Sequence, residues 1–243
     1  MMTKMNQNGL AAHLQKRLPF FALDLALECP AGDTLVLTGP SGSGKTTVLR
    51  CLAGLERIDR GWITFNGQCW DDGATAHHTS PRHRRLGFLS QDYALFPHMT
   101  LKDNIRFVLS SREDPMEHLE SMGIAHLGHK RPHQVSGGER QRAALCQTLA
   151  RRPQVLLLDE PFSALDIENR TLLRQLLRQE QQRSGLTIVQ VTHDLTEALA
   201  SSARVISLCQ GQTDPDWLQR QRTLMINDFR WLNHEYDRVA AVS

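Results

Sequence analysis

The sequence predicts an α/β fold with a mostly parallel sheet, and three observations carry that prediction. Short, continuous apolar runs at Leu35-Val-Leu37, Val155-Leu-Leu-Leu158, Thr187-Ile-Val-Gln-Val191 and Arg204-Val-Ile-Ser-Leu208 are of the kind buried on both faces of a parallel sheet. Apolar stripes at helical spacing lie between them, such as Leu172, Leu173, Leu176 and Leu177, closed by Ser184-Gly185. The first run leads into a glycine-rich turn and then Val48-Leu49-Arg50-Cys51-Leu52, giving the order strand, turn, helix. A chain of 243 residues has room for one large core and a subdomain.

In chain order, Leu10 to Glu28 reads as strand material broken at Pro19, with Leu23, Leu25 and Leu27 alternating against Asp24, Ala26 and Glu28. This predicts an antiparallel β part before the parallel core. A turn follows at Pro30-Ala-Gly-Asp33, and the helix after the glycine-rich turn runs to about Leu55. Gly61-Trp-Ile-Thr-Phe-Asn-Gly67 is a short strand between turn residues, and 71–85, polar and rich in histidine, is read as loop. Leu86-Gly-Phe-Leu-Ser90 is another short strand ending at Gln91. From Phe96 to about Arg152 the period becomes helical, with breaks at Pro115, Gly123, Gly128 and Pro132, which predicts an α-helical subdomain inserted into the sheet. After Gly211, Trp217, Leu218, Met225, Phe229, Leu232, Tyr236 and Val239 recur at helical spacing and predict an amphipathic C-terminal helix packed on the core.

Composition narrows the function. The net charge of +2 gives no support to a nucleic-acid surface. Five scattered cysteines without metal spacing fit thiols in a reducing compartment. The polar stretch from Met1 to Gly9 lacks a secretory apolar segment, and no run reaches the length that crosses a bilayer. His126, His129 and His133 straddle Gly128 and Pro132 with no cysteine or carboxylate at ligand spacing, so they are not read as a metal site, and neither are His77, His78 and His83.

The glycine-rich turn is Gly39-Pro40-Ser41-Gly42-Ser43-Gly44-Lys45-Thr46, followed by Thr47, and it fits the phosphate-loop pattern in its strand-to-helix context. Its glycines let successive N–H groups point at phosphate oxygens. The helix start adds partial positive charge, Lys45 can reach the β- and γ-phosphates, and the Thr46 hydroxyl can face Mg²⁺. The fold class expected is therefore an α/β phosphate-loop NTPase with a RecA-like core. The run Val155 to Leu158 ends in Asp159-Glu160-Pro161, where Asp159 can hold the metal shell and Glu160 can take a proton from the attacking water. Ser136, a natural helix N-cap, precedes Gly137 and Gly138 and makes a second anion-binding helix start.

Val135-Ser-Gly-Gly-Glu139, with Arg140-Gln-Arg142 behind it, resembles the Leu-Ser-Gly-Gly-Gln signature of the ATP-binding subunits of ABC transporters, and the resemblance covers roughly 23–208. It implies ATP and Mg²⁺ as ligands and a head-to-tail dimer in which each signature closes over the ATP held by the other subunit. It further implies that Gln91 contacts Mg²⁺ and the attacking water, that Ser163-Ala-Leu-Asp166 lets the two subunits sense each other, and that His193 contacts the γ-phosphate. By this resemblance Glu160, His193 and Gln91 are catalytic, the phosphate loop with Thr47, Ser136, Gly137, Gly138 and Asp166 binds nucleotide, and Thr46, Gln91 and Asp159 face the metal. Val135 and Glu139 depart from the usual signature, and Glu139 adds a negative charge beside a phosphate-binding surface. For the adenine, Phe20 or Phe21 serves as the stacking ring or belongs to the core.

In the family resembled, the neighbourhood of Asp92-Tyr-Ala-Leu-Phe-Pro-His-Met-Thr100 receives a short helix of a membrane-spanning permease. The look is that of a small-solute importer, nearest to molybdate, tungstate or sulfate systems, acting with a solute-binding protein from the cytoplasmic face of the inner membrane. The expected organisation is an ATPase domain over 1–211, with its core at about 10–95 and 153–211 and the helical subdomain at about 96–152, and a helical tail over 212–243. Many such subunits carry a C-terminal regulatory β-domain, for which the chain is too short. A soluble ABC-type ATPase acting on a non-transport partner is the alternative.

Overall fold

The computed structural model describes residues 8–110, 112–163, 165–200 and 204–226. The chain opens with a hairpin of β1 (Gly9–Arg17) and β2 (Ala22–Pro30), antiparallel, with Leu10 opposite Cys29. Along β2, Leu23, Leu25, Leu27 and Cys29 are buried and the residues between them exposed, which is the alternation of a strand with one face in the core. β3 (Thr34–Thr38) then passes through the glycine loop into α1 (Lys45–Ala53), which Gly54 ends in a left-handed conformation.

β4 (Arg60–Phe65) and β5 (Gln68–Asp72) form a second hairpin, followed by the two-residue β6 (His77–His78). Here the structure corrects the expectation of loop over 71–85. Asn66 and Gly67 both have positive φ and make the tight two-residue turn of a hairpin, so the strand pairing continues through Asp72 and returns at His77. Arg84, in the same stretch, has no exposed side chain surface. Its guanidinium donates to the carbonyls of Cys51 and Leu52 in the last turn of α1, to Trp70 O and to Asp71 Oδ2, and its Nε donates to Thr79 O. His78 Nδ1 lies 2.6 Å from the same Asp71 carboxylate. A polar segment thus supplies a buried ionic tie from the hairpin to the phosphate-loop helix.

β7 (Leu86–Leu89) precedes a purely helical passage of α2 (Leu101–Arg106), α3 (Pro115–Ser121), two short 3₁₀ turns and α4 (Gly137–Leu149). Pro115 opens α3 at its first turn, where a missing N–H costs nothing. The core resumes with β8 (Val155–Asp159), α5 (Ile167–Ser184), β9 (Thr187–Val191), α6 (Leu195–Ala200), β10 (Arg204–Cys209) and β11 (Gln212–Thr213), and 215–226 are helical. Of the expected C-terminal helix, Phe229, Leu232, Tyr236 and Val239 lie outside the described residues.

The strand order is β6-β5-β4-β1-β2-β11-β10-β3-β9-β8-β7, and the run from β10 to β7 is parallel throughout. One apolar cluster packs α1 between this parallel run and the antiparallel hairpins, through Val48, Leu49, Cys51 and Leu52. A second joins α2, α3 and α4 to β8, β9 and α5. In α5 the expected stripe is narrower than its sequence, since Leu173 and Leu177 are buried while Leu172 is exposed. The five cysteines form no disulfide, and burial pushes the thiols of Cys29, Cys51 and Cys146 up to about 12.

Candidate functional site

The carboxyl ends of β3, β8 and β9, three adjacent parallel strands, bring the chemistry together. After β3 the loop turns through Gly39, Gly42 and Gly44, all at positive φ. Gly39 has no alternative, because a Cβ there would run into the backbone carbonyl of Leu208. Ser43 N–H donates to Pro40 O, whereas the N–H groups of Gly42, Gly44, Lys45, Thr46 and Thr47 have no acceptor among the described residues. Five free amides at a helix start form a cradle for an anion. Lys45 is curled into the loop, its Nζ donating at 2.8 Å to both Gly39 O and Pro40 O. Burial pulls its pKa down, against the attraction of Glu160 and Asp159. The residues therefore fit a polyphosphate, which would supply the acceptors the amides lack.

Two of the three residues expected to face the metal also meet. Thr46 Oγ1 donates to Asp159 Oδ1 at 3.3 Å, so the first turn of α1 and the end of β8 present two hard oxygens side by side, the donor type Mg²⁺ takes. Burial raises the Asp159 pKa, opposed by the Thr46 hydrogen bond. Gln91, two residues beyond β7, is exposed. No hydrogen bond joins it to Thr46 or Asp159.

Glu160 follows in a left-handed conformation with φ 50, a setting uncommon outside glycine and typical of residues aimed by their surroundings. Its N–H is held by Val191 O at 3.0 Å. His193 Nδ1 lies 2.8 Å from Glu160 Oε1. The contact pairs a ring nitrogen with a carboxylate oxygen and leaves Nε2 for another partner.

Ser136, Gly137 and Gly138 start α4, and no hydrogen bond joins them to the phosphate loop among the described residues. Gly138 instead packs against Asn169 of α5, where a Cβ would sit 2.9 Å from the amide. Asn169 Nδ2 donates to both carboxylate oxygens of Asp166, at 2.8 and 3.1 Å, and its Oδ1 accepts from Arg142 of α4 at 2.7 Å. Asp166 is also the N-cap of α5, accepting from Asn169 N, and this bond holds its carboxyl below the usual range. Sequence reasoning named Asp166 and Gly138 but missed Asn169, which ties them together. It also missed Asn104, fully buried, whose side chain accepts from Phe96 N and donates to the carbonyls of Phe96, Met99 and Thr100. That amide shapes the stretch after Gln91, and nothing in local sequence marks it. Of the two candidate adenine rings, Phe20 is 95% exposed at the β1–β2 turn and is not core, while Phe21 packs beside Gly44.

A parallel sheet with an amide-lined glycine loop, buried lysine and strand-end acids defines a phosphate-loop nucleotide-binding protein. The sequence profile of the ABC transporter family matches residues 23–163, and the chain belongs to that family. It is 44% identical over 214 residues to the sulfate/thiosulfate import ATP-binding protein CysA of Yersinia pseudotuberculosis, covering 82% of this chain and 57% of the relative. Against CysA of Escherichia coli K12 the identity is 45% over the same length and coverage. Against that of Synechocystis it is 45% over 199 residues, or 79% of this chain and 54% of the relative. The chain thus spans little more than half the length of these relatives. Among solved structures it is similar to the ATP-binding cassette MJ0796, a dimer in a post-hydrolysis state bound to ADP and Pi, with TM-score 0.70, 26% identity, and coverage of 84% of this chain and 96% of that one. No helix among the described residues is long and apolar enough to cross a membrane.

Proposed function

We propose that this protein is the ATP-hydrolysing subunit of an importer for a small oxyanion of the sulfate type, working on a separate membrane permease from its cytoplasmic face. The observation that carries the catalytic part is the Glu160–His193 pair at the ends of β8 and β9, beside the phosphate loop. The free amides of the loop and Lys45 hold the phosphates, with Lys45 exchanging its two carbonyl acceptors for phosphate oxygens. Thr46 and Asp159 would hold Mg²⁺, with Gln91 as a further oxygen, and the ion would neutralise charge on the β- and γ-phosphates.

Glu160 takes a proton from a water attacking the γ-phosphorus, the bond to the bridging oxygen breaks, and ADP and phosphate leave. His193, oriented through Nδ1, offers Nε2 to the γ-phosphate. The start of α4 and Asp166 make no hydrogen bond to the phosphate loop among the described residues, which supports a head-to-tail dimer in which they serve the nucleotide of the other subunit. The relatives' import of sulfate and thiosulfate supports the oxyanion, and the dimeric state of the solved neighbour supports the pairing. Phe20, exposed at the β1–β2 turn next to Phe21, which packs beside Gly44, is the ring available to stack on adenine.

The stretch Tyr93 to Met99, shaped by Asn104, carries Phe96, whose ring meets that of the exposed Phe107 at 4.8 Å. It is the surface proposed to receive the permease. The test is to tag the chain, capture the membrane protein that accompanies it, and measure ATP turnover in the captured material. A permease, with turnover stimulated by sulfate and a solute-binding protein, is the expected result. Full turnover from the chain alone, with no membrane partner, would favour a soluble ATPase.

A further inference from the structure

The start of α4 already holds a carboxylate of its own. Glu139 Oε2 accepts from the Ser136 N–H at 2.8 Å, and Ser136 Oγ accepts from the Glu139 N–H at 3.3 Å. This reciprocal box satisfies two donors of the helix start, while the N–H groups of Gly137 and Gly138 have no acceptor among the described residues. The Ser136 N–H also holds the Glu139 carboxyl below the usual range, with smaller pulls from Arg142 and His126, so it is charged at neutral pH. A full negative charge therefore stands within one side-chain length of two free amides and the Ser136 hydroxyl.

We infer that Glu139 is an electrostatic brake on dimer closure: its carboxylate opposes the arrival of the partner-held γ-phosphate at the start of α4. The brake sets how much ATP is needed to keep the two subunits together. It rests on the head-to-tail reading given above. A glutamine at this position has an amide oxygen that accepts the same bond from Ser136, so Glu139→Gln removes the charge and keeps the cap.

The experiment is sedimentation of the full chain carrying Glu160→Gln, with and without Glu139→Gln, across a range of MgATP concentrations. The added substitution is expected to lower the dimer dissociation constant roughly 5- to 30-fold, as removal of one nearby charge per site would. The gap is expected to shrink as salt rises from about 50 to about 500 mM, because only a charge effect is screened. Monomer thermal midpoints should match, since both side chains cap the helix. Dimerisation of the double variant alone would also support the brake. An equal or weaker dimer in the double variant, or a gap that ignores salt, overturns it. If neither chain dimerises with ATP, the head-to-tail reading fails and the brake falls with it.

Discussion

Asp159 stands in surroundings that disfavour its charged form. Burial raises its pKa above 3.8, so just above that pH the folded chain binds more protons than the unfolded one. Its contribution to stability is greatest when it is protonated and falls as pH rises through the raised value. At neutral pH the charge is a cost that a bound cation offsets. Asp159→Asn should therefore raise the thermal midpoint of the nucleotide-free chain at pH 7 by roughly 2–4 °C, the shift that about 1 kcal/mol gives in a chain of this size. The same change should abolish Mg²⁺-dependent turnover, and calorimetry beside an ATPase assay checks both. A lowered midpoint would contradict the account of Asp159. Most residues of this cluster were legible because each sits at a fixed offset from a strand end: Lys45 and Thr46 after β3, Asp159 and Glu160 at β8, His193 after β9. Asn104 and Asn169 were not, because an asparagine becomes a node only when the fold brings distant carbonyls or carboxylates to its amide.

At the scale of elements, α1 is fixed at both ends. Its start is the cradle of free amides, and its last turn is held by Arg84, which donates to the Cys51 and Leu52 carbonyls and also to Trp70 O and Asp71 Oδ2 of β5. Replacing Arg84 by Met would leave those carbonyls and the buried Asp71 carboxylate short of a donor. The expected loss is about 3–5 kcal/mol, measured as a fall in the urea midpoint, because removing one partner of a buried pair leaves the other charge uncompensated. A loss under about 1 kcal/mol would mean that His78 and water replace the guanidinium. This tie escaped the sequence reading for an identifiable reason. Polarity between Asp71 and Arg85 suggested loop, and in the sequence reading the hairpin signal of the Asn66-Gly67 pair just before it marked only the end of a strand. The parallel strands were easier to read, since burial on both faces leaves unbroken apolar runs such as Val155 to Leu158.

At the scale of the molecule, the two helix starts with free amides stand in different surroundings. The amides at α1 share their surroundings with Lys45, Asp159 and Glu160, whereas α4 is joined through Arg142 and Asn169 to Asp166, with no hydrogen bond to the first cluster among the described residues. On the proposed function, such a division is what a subunit that completes its neighbour's site requires, and the chemical step would then fall on Glu160 of the subunit whose loop holds the nucleotide. The most direct measurement is ATP binding and ATP turnover of Glu160→Gln against the unaltered chain. The account predicts unchanged nucleotide affinity with turnover lower by roughly 10²- to 10⁴-fold, the contribution of a positioned general base. Near-normal turnover in that variant would contradict it.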